Sequence, residues 1–269
     1  MATMHGQELV EALASTVDGV TDVCGDLTAA EWALPTGCPG WTVQDTVAHL
    51  VGLETAIITG VEPDHELVGE FPHATGPVGE YMERHVDARR HLPADAVLTE
   101  FVAVFLGRLA ALRALPDSAF DEPARGPMGS MNPLGRMLGI RVFDVWAHEQ
   151  DIRRAVGRPG GYDTPAAAVS FDRCTAFAGP AKAAVMPDGS TLVWELEGPY
   201  AGVHAWSFAD GKGTRLDDVP AEPTVRLTAD SETFMVLCCG RSDARPQDVR
   251  VEGDAALAQA ILDDPGFTP

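Results

Sequence analysis

The strongest constraint on this fold is a change of character at Arg158-Pro-Gly-Gly-Tyr162. Before that segment, long stretches repeat apolar side chains with helical spacing. After it, the apolar runs are short and strand-like. Residues 7–26 carry Leu9, Val10, Leu13, Val17, Val20 and Val23 at helical spacing. Two prolines and two glycines between Leu34 and Gly40 forbid regular structure. A second helix is expected from Thr42 as N-cap, with Asp45 at the third helical position, to a stop at Gly60. Residues 61–76 read as loop, 78–90 and 94–114 as helix broken at Pro93, and 115–132 as loop. Pro133 is expected to open a fourth helix that runs to Val156 and stops at Gly157. Four helices joined by loops predict a bundle over residues 1–157. Beyond it, helices near 164–185, 230–239 and 254–263 and strands near 191–197, 203–208, 224–227 and 248–251 predict a small α+β domain over 163–269.

Charge narrows the partners. The chain has 269 residues, with 19 Lys+Arg against 40 Asp+Glu, a net charge of −21. That balance argues against nucleic acid and anionic membrane as partners, since both are recognised by clustered Lys and Arg. No run of apolar residues is long enough for a transmembrane helix. The opening MATMHGQELVEALAS has no basic segment followed by an apolar one, so no signal peptide is expected. The five cysteines, Cys24, Cys38, Cys174, Cys238 and Cys239, are scattered and form no C-x-x-C pair. Neither a disulfide framework nor a zinc ribbon is expected, and the chain reads as cytoplasmic and reduced.

The fourth helix holds most of the chemical information. Apolar residues occupy nearly its whole circumference, while Arg141, Asp144, His148 and Asp151 follow one another at spacings of three, four and three. Such residues stack on one helix face. An Asp and a His four apart can reach a single cation, which is the logic of helical metal sites. The same stripe also reads as a solvated face carrying an Arg141–Asp144 pair and a surface His. His49, between Ala48 and Leu50 in helix two, reads either as a hydrogen-bonded core residue or as a third ligand. His/Asp/His would leave positions open for substrate or solvent, as catalytic sites do, and suits Zn²⁺ among other divalent ions. His65, His73, His85 and His91 lie in or beside expected loops without ligand spacing. The chain has no G-x-S-x-G elbow, phosphate loop or dinucleotide fingerprint. Cys238 and Cys239 read as small buried residues at a helix end.

Two segments carry a family resemblance. PTGCPGWTVQDTVAHLVGLE (35–54) resembles the helix-two motif of the mycothiol-dependent maleylpyruvate isomerase family, within the DinB-like metalloenzymes, and RVFDVWAHEQDIRRAVGRPG (141–160) resembles its helix-four motif. LCCGR (237–241) and VRVEGDAALAQAILDD (249–264) are similar to the sterol-carrier-like C-terminal domain found in many members. The resemblance implies a DinB-like four-helix bundle followed by a sterol-carrier-like α+β domain, with His49, Asp144 and His148 as metal ligands. The isomerase type has Glu where this chain has Asp144, so the carboxylate arm is one methylene shorter. Arg241 matches an Arg that holds an anionic group in the cleft beside the C-terminal domain. The implied activity is a divalent-metal-dependent enzyme using mycothiol as thiol cosubstrate, either an S-transferase or a cis-trans isomerase acting on a small electrophile. Two alternatives stand beside it. One is a metal-dependent hydrolase whose general base is Asp151, Glu149 or Glu54, and the other is a non-catalytic small-molecule-binding protein.

Overall fold

The computed structural model describes residues 4–263 and 266. The outermost residues of both expected domains (1–3, 264–265 and 267–269) and the last residue of the 249–264 motif lie outside the described residues. The chain forms two compact units, Met1–Ser170 and Phe171–Pro269.

The first unit is built on four long helices: α1 (Gln7–Cys24), α3 (Val43–Thr59), α5 (Ala94–Arg113) and α6 (Leu134–Val156). Helix α1 packs on α5 and α6, and α3 packs on α5 and α6, which closes the bundle. Its core joins Leu13, Val17 and Val20 of α1 to Val47, Leu50 and Val51 of α3, Phe101 and Phe105 of α5, and Leu138, Val142 and Ile152 of α6. The two phenylalanine rings lie 4.5 Å apart. The helix limits follow their caps. Thr42 Oγ1 accepts from the Asp45 amide while the Asp45 carboxylate accepts from the Thr42 amide, a complete reciprocal box at the start of α3. Gly60 and Gly157 end α3 and α6 in the left-handed region, with φ of 68° and 67°. A shorter helix, α4 (Gly76–Asp87), leans on α3.

Three details differ from the sequence expectations. A four-residue helix, α2 (Ala29–Trp32), forms behind a Thr28–Glu31 capping box. Part of the expected 115–132 loop is a small antiparallel hairpin, β1 (Pro123–Arg125) with β2 (Met131–Pro133). Pro133 is the N-cap rather than the first residue of α6.

The second unit carries a five-stranded sheet in the order β5-β4-β3-β6-β7. The strands are β3 (Thr191–Glu197), β4 (Gly202–Ala209), β5 (Lys212–Leu216), β6 (Val225–Asp230) and β7 (Arg250–Gly253). Central β3 runs parallel to β6 and antiparallel to β4, in a register that sets Trp194 opposite Leu227 and His204. Apolar residues crowd β3 and β6, whereas the edge strands β5 and β7 are short and mostly exposed, with Lys212, Arg215, Arg250 and Glu252 along them. Short charged edges discourage strand addition by another chain. Helix α7 (Pro165–Phe177) precedes the sheet, α8 (Ser231–Cys238) follows β6, and α9 (Ala255–Asp263) follows β7. Two expectations need correction. Strand β5 was not anticipated, because its polar KGTRL has no apolar alternation. The helix expected near 164–185 stops at Phe177, and its remainder is a turn of 3₁₀ helix at Pro180–Lys182. The resulting class is α plus α+β, as expected.

Candidate metal centre

The stripe on α6 is not a solvated face. Arg141, His148 and Asp151 are buried, at 4%, 6% and 1% exposure, and only Asp144 reaches partly into the open. His49 of α3 is buried beside them. Its Nε2 lies 3.6 Å from Asp144 Oδ2, and His148 Nε2 lies 3.6 Å from Asp144 Oδ1. Both separations are too long for hydrogen bonds. The two imidazole centroids are 4.8 Å apart with their rings steeply inclined. One donor atom from each of His49, Asp144 and His148 lies within 4.8 Å of the others, so these residues could hold a cation.

The electrostatics suit that role. Among the described residues neither ring nitrogen of His49 finds a hydrogen-bond partner, which is costly for a buried polar group. Burial pushes the His49 pKa down to about 4, so the ring is neutral and its lone pair available. Burial favours the protonated form of Asp144, but the Arg141 guanidinium and the two imidazoles hold its carboxyl well below the usual carboxylate range. Two imidazoles and an ionised carboxylate are a donor set for a divalent first-row cation.

Around these three residues stands a second layer. Arg141 makes a very short contact to Asp144 and donates from Nε to Glu54 Oε2 at 2.9 Å; Glu54 Oε1 in turn lies 3.2 Å from Arg108 Nε. Asp144 is therefore clamped between a buried guanidinium and the imidazoles. Trp41 covers the other side, its ring 4.9 Å from His49 and 5.9 Å from His148. It is held by the loop over 34–43, where Thr36 N donates to Trp41 O, Trp41 N to Cys38 O and Val43 N to Leu34 O. The Trp41 indole N–H donates to Glu83 Oε2 at 2.9 Å, and that oxygen also meets His73 Nε2 at 2.9 Å. Gly40 sits in this loop with φ of 78°, and a Cβ there would run into the His73 ring. The Pro/Gly break in the sequence is thus an ordered loop that positions Trp41 and Cys38.

The remaining expected residues fall as follows. Glu54, Glu149 and Asp151, the candidate bases, are each paired with arginine: Glu54 with Arg141 and Arg108, Glu149 with Arg153, Asp151 with Arg154. Arg241 follows α8 in the second unit and donates from NH1 to Cys239 O. Cys238 and Cys239 are buried, and Cys174, buried with them, has its thiol pushed well above the ordinary value chiefly by burial. His85 is not a loop residue. It lies buried in α4, its Nε2 is 3.7 Å from Glu62 Oε2, and burial pushes its pKa down to about 4. Cys38, Trp41 and Glu83 were not singled out from the sequence. Cys38 Sγ lies 3.2 Å from Asp151 Oδ2 and 3.8 Å from His148 Nδ1, a neighbourhood that a separation of 110 residues conceals.

Fold and donors together define a class: a helical bundle with two histidines and an aspartate facing one another in its interior, followed by an α+β unit. The chain belongs to the family described by the mycothiol maleylpyruvate isomerase N-terminal domain, whose model matches residues 13–153. Uncharacterized proteins from two strains of Mycobacterium tuberculosis, CDC 1551 and H37Rv, are each 27% identical to it over 96% of both chains. The crystal structure of a mycothiol-dependent maleylpyruvate isomerase superposes with a TM-score of 0.59 at 20% identity, covering 95% of this chain and 98% of that one. A histidine-to-alanine mutant of that enzyme gives 0.58 at 19%. These likenesses show the fold. Among the described residues no helix is long and apolar enough to cross a membrane.

Proposed function

We propose that this protein is a divalent-metal-dependent enzyme that uses a low-molecular-weight thiol, mycothiol by family, to transfer sulfur to a small electrophile or to isomerise it. The observation that carries the reading is the buried His49 with both ring nitrogens unpartnered, facing Asp144 and His148. A divalent ion, Zn²⁺ by donor chemistry, would supply an open position where a thiol sulfur loses its proton near neutral pH.

The chain's own residues do the rest. His49 presents neutral imidazole nitrogens, His148 turns its Nε2 toward the same carboxylate, and Asp144 adds one negative charge. Arg141 holds the Asp144 carboxylate against rotation, and Glu54 anchors Arg141. Trp41 shields the imidazole faces from water. Arg241 is assigned the binding of an anionic group on substrate or thiol. Residues 163–269 are assigned as the sterol-carrier-like domain and residues 1–157 as the metal-binding bundle. The protein is assigned to the cytoplasm, in keeping with its buried free thiols. The hydrolase alternative is weaker, because Glu54, Glu149 and Asp151 are all committed to arginines.

Metal content and thiol consumption test this reading. Purified protein is expected to hold about one equivalent of metal per chain, and His49→Ala or His148→Ala to weaken binding more than about 100-fold, beyond what outer-layer partners contribute. Mycothiol supplied with maleylpyruvate or a general electrophile is expected to give turnover that stops without thiol. Substoichiometric metal unchanged by His148→Ala sinks the metal reading. Turnover that persists without thiol sinks the thiol reading and revives the hydrolase.

A further inference from the structure

His148 offers its two ring nitrogens to two different sets of groups. Nε2 faces Asp144 and His49, while Nδ1 lies 3.0 Å from Asp151 Oδ2. Asp151 is one helical turn further along α6 and is 1% exposed. Its Oδ1 accepts from Arg154 NH2 at 2.6 Å, which keeps a charged partner on the carboxylate, and its Oδ2 also lies 3.2 Å from Cys38 Sγ.

We infer that Asp151, supported by Cys38, is a positioning residue that fixes which nitrogen of His148 is free. A carboxylate only accepts, so the nitrogen facing it must carry the proton. A neutral imidazole has a single N–H. With that proton on Nδ1, Nε2 carries the lone pair and aims it at the Asp144–His49 side. A histidine with no such partner prefers its proton on Nε2, and that N–H would stand where a cation must bind. Carboxylate–histidine pairs of this kind orient metal ligands and raise their basicity. Cys38 acts as a thiol, donating S–H to Oδ2. It is brought there by the 34–43 loop that also seats Trp41, so one loop sets both the cover and the tautomer of the site. The assignment rests on the metal reading for its purpose but not for its detection, because the tautomer is present without metal.

The test is long-range ¹H–¹⁵N correlation on metal-free protein labelled at histidine, followed by chelator-competition titration with Zn²⁺. Wild type and Cys38→Ser are expected to show His148 protonated on Nδ1. Asp151→Leu is expected to move the proton to Nε2 and weaken Zn²⁺ binding by about 10–100-fold. Asp151→Asn, which keeps an acceptor, is expected to preserve the tautomer and lose less affinity; it carries the test should the leucine variant not fold, with unchanged Zn²⁺ affinity counting against the assignment. Nδ1 unprotonated in wild type overturns it, and so does Asp151→Leu with unaltered tautomer and affinity. Co²⁺-loaded protein is expected to lack a thiolate charge-transfer band. Such a band, abolished by Cys38→Ser, makes Cys38 a ligand and overturns the assignment. If wild type binds no Zn²⁺ yet shows the Nδ1 proton and loses it in Asp151→Leu, the metal reading alone has failed.

Discussion

The unit over 1–170 buries histidines, carboxylates and an arginine: His49, Glu54, Glu83, His85, Arg141, His148, Glu149 and Asp151 are all nearly solvent-free. Among the described residues of 171–269, the buried polar groups are hydroxyls and one lysine, Thr175, Ser190, Thr228, Ser231 and Lys182. Both units have ample apolar cores, so the bundle does not need its charges in order to fold. Buried charges cost several kcal/mol each in lost hydration and are weak evidence of stabilisation. A helical core that retains so many of them is arranged around a task, whereas the second unit is packed as an ordinary sheet core. Substitutions in the two units should therefore differ in kind.

The largest effect is expected at Arg141. Arg141→Met leaves Glu54 and Asp144 in place without the cation between them and is expected to destabilise the bundle by about 3–5 kcal/mol, read by urea unfolding. Arg141→Met with Glu54→Gln should recover part of that loss, since Glu54, left with Arg108 alone, no longer buries a carboxylate charge. A single-variant cost under about 1 kcal/mol would mean the network is not clamped as drawn, and the contrast between the units would collapse. In the second unit the counterpart is Leu227→Ala, at a fully buried position of β6 opposite Trp194 and Val251. The expected cost is about 2–5 kcal/mol from lost burial and the cavity left behind. Metal bound per folded chain should be unchanged by it. Altered metal stoichiometry in Leu227→Ala would erase the division of labour.

A milder change separates helix stability from site chemistry. Thr42→Ala removes one half of the capping box at the start of α3, at an expected cost of about 1 kcal/mol. Thr42 lies seven residues before His49, so metal affinity should fall little if only the first turn frays. A loss as large as that of His49→Ala would mean that the cap sets the placement of His49.

How far the sequence could be read follows the same contrast. The long helices were legible because period, cap and stop agree: Thr42 with Asp45, Gly60, and Gly157 each sit where the structure uses them. That Asp144 and His148 share a helix face was legible from their spacing of four, whereas His49 read equally as a core histidine, and its position beside them depends on how α3 packs on α6. The burial of the Arg141–Asp151 stripe was not legible, because four polar residues on one face look the same whether they meet water or another helix. Cys38 and Trp41 were hidden by chain distance and by a Pro/Gly segment whose order depends on hydrogen bonds across it. Strand β5 was invisible because edge strands carry the polar residues that loops do.

A pH dependence confined to the second unit sharpens the contrast in another way. His204 on β4 accepts from Arg215 NH2 at 2.7 Å through Nδ1, so the folded arrangement needs it neutral. Burial, with the Arg215 charge added, pushes its pKa down from an ordinary 6.5 to about 4. Between those values the unfolded chain binds a proton that the folded chain does not, so stability from this residue falls as pH drops from about 6.5 toward 4 and changes no further below. Carboxylates elsewhere also titrate in acid, so the informative quantity is the difference between wild type and His204→Gln, whose amide oxygen can still accept from Arg215. Thermal unfolding from pH 7 to 4 should show wild type losing stability relative to His204→Gln inside that window only. Parallel curves would mean that Arg215 releases His204 on protonation at no cost. A difference that grows with alkalinity would reverse the sign and place a charged imidazole in the folded strand.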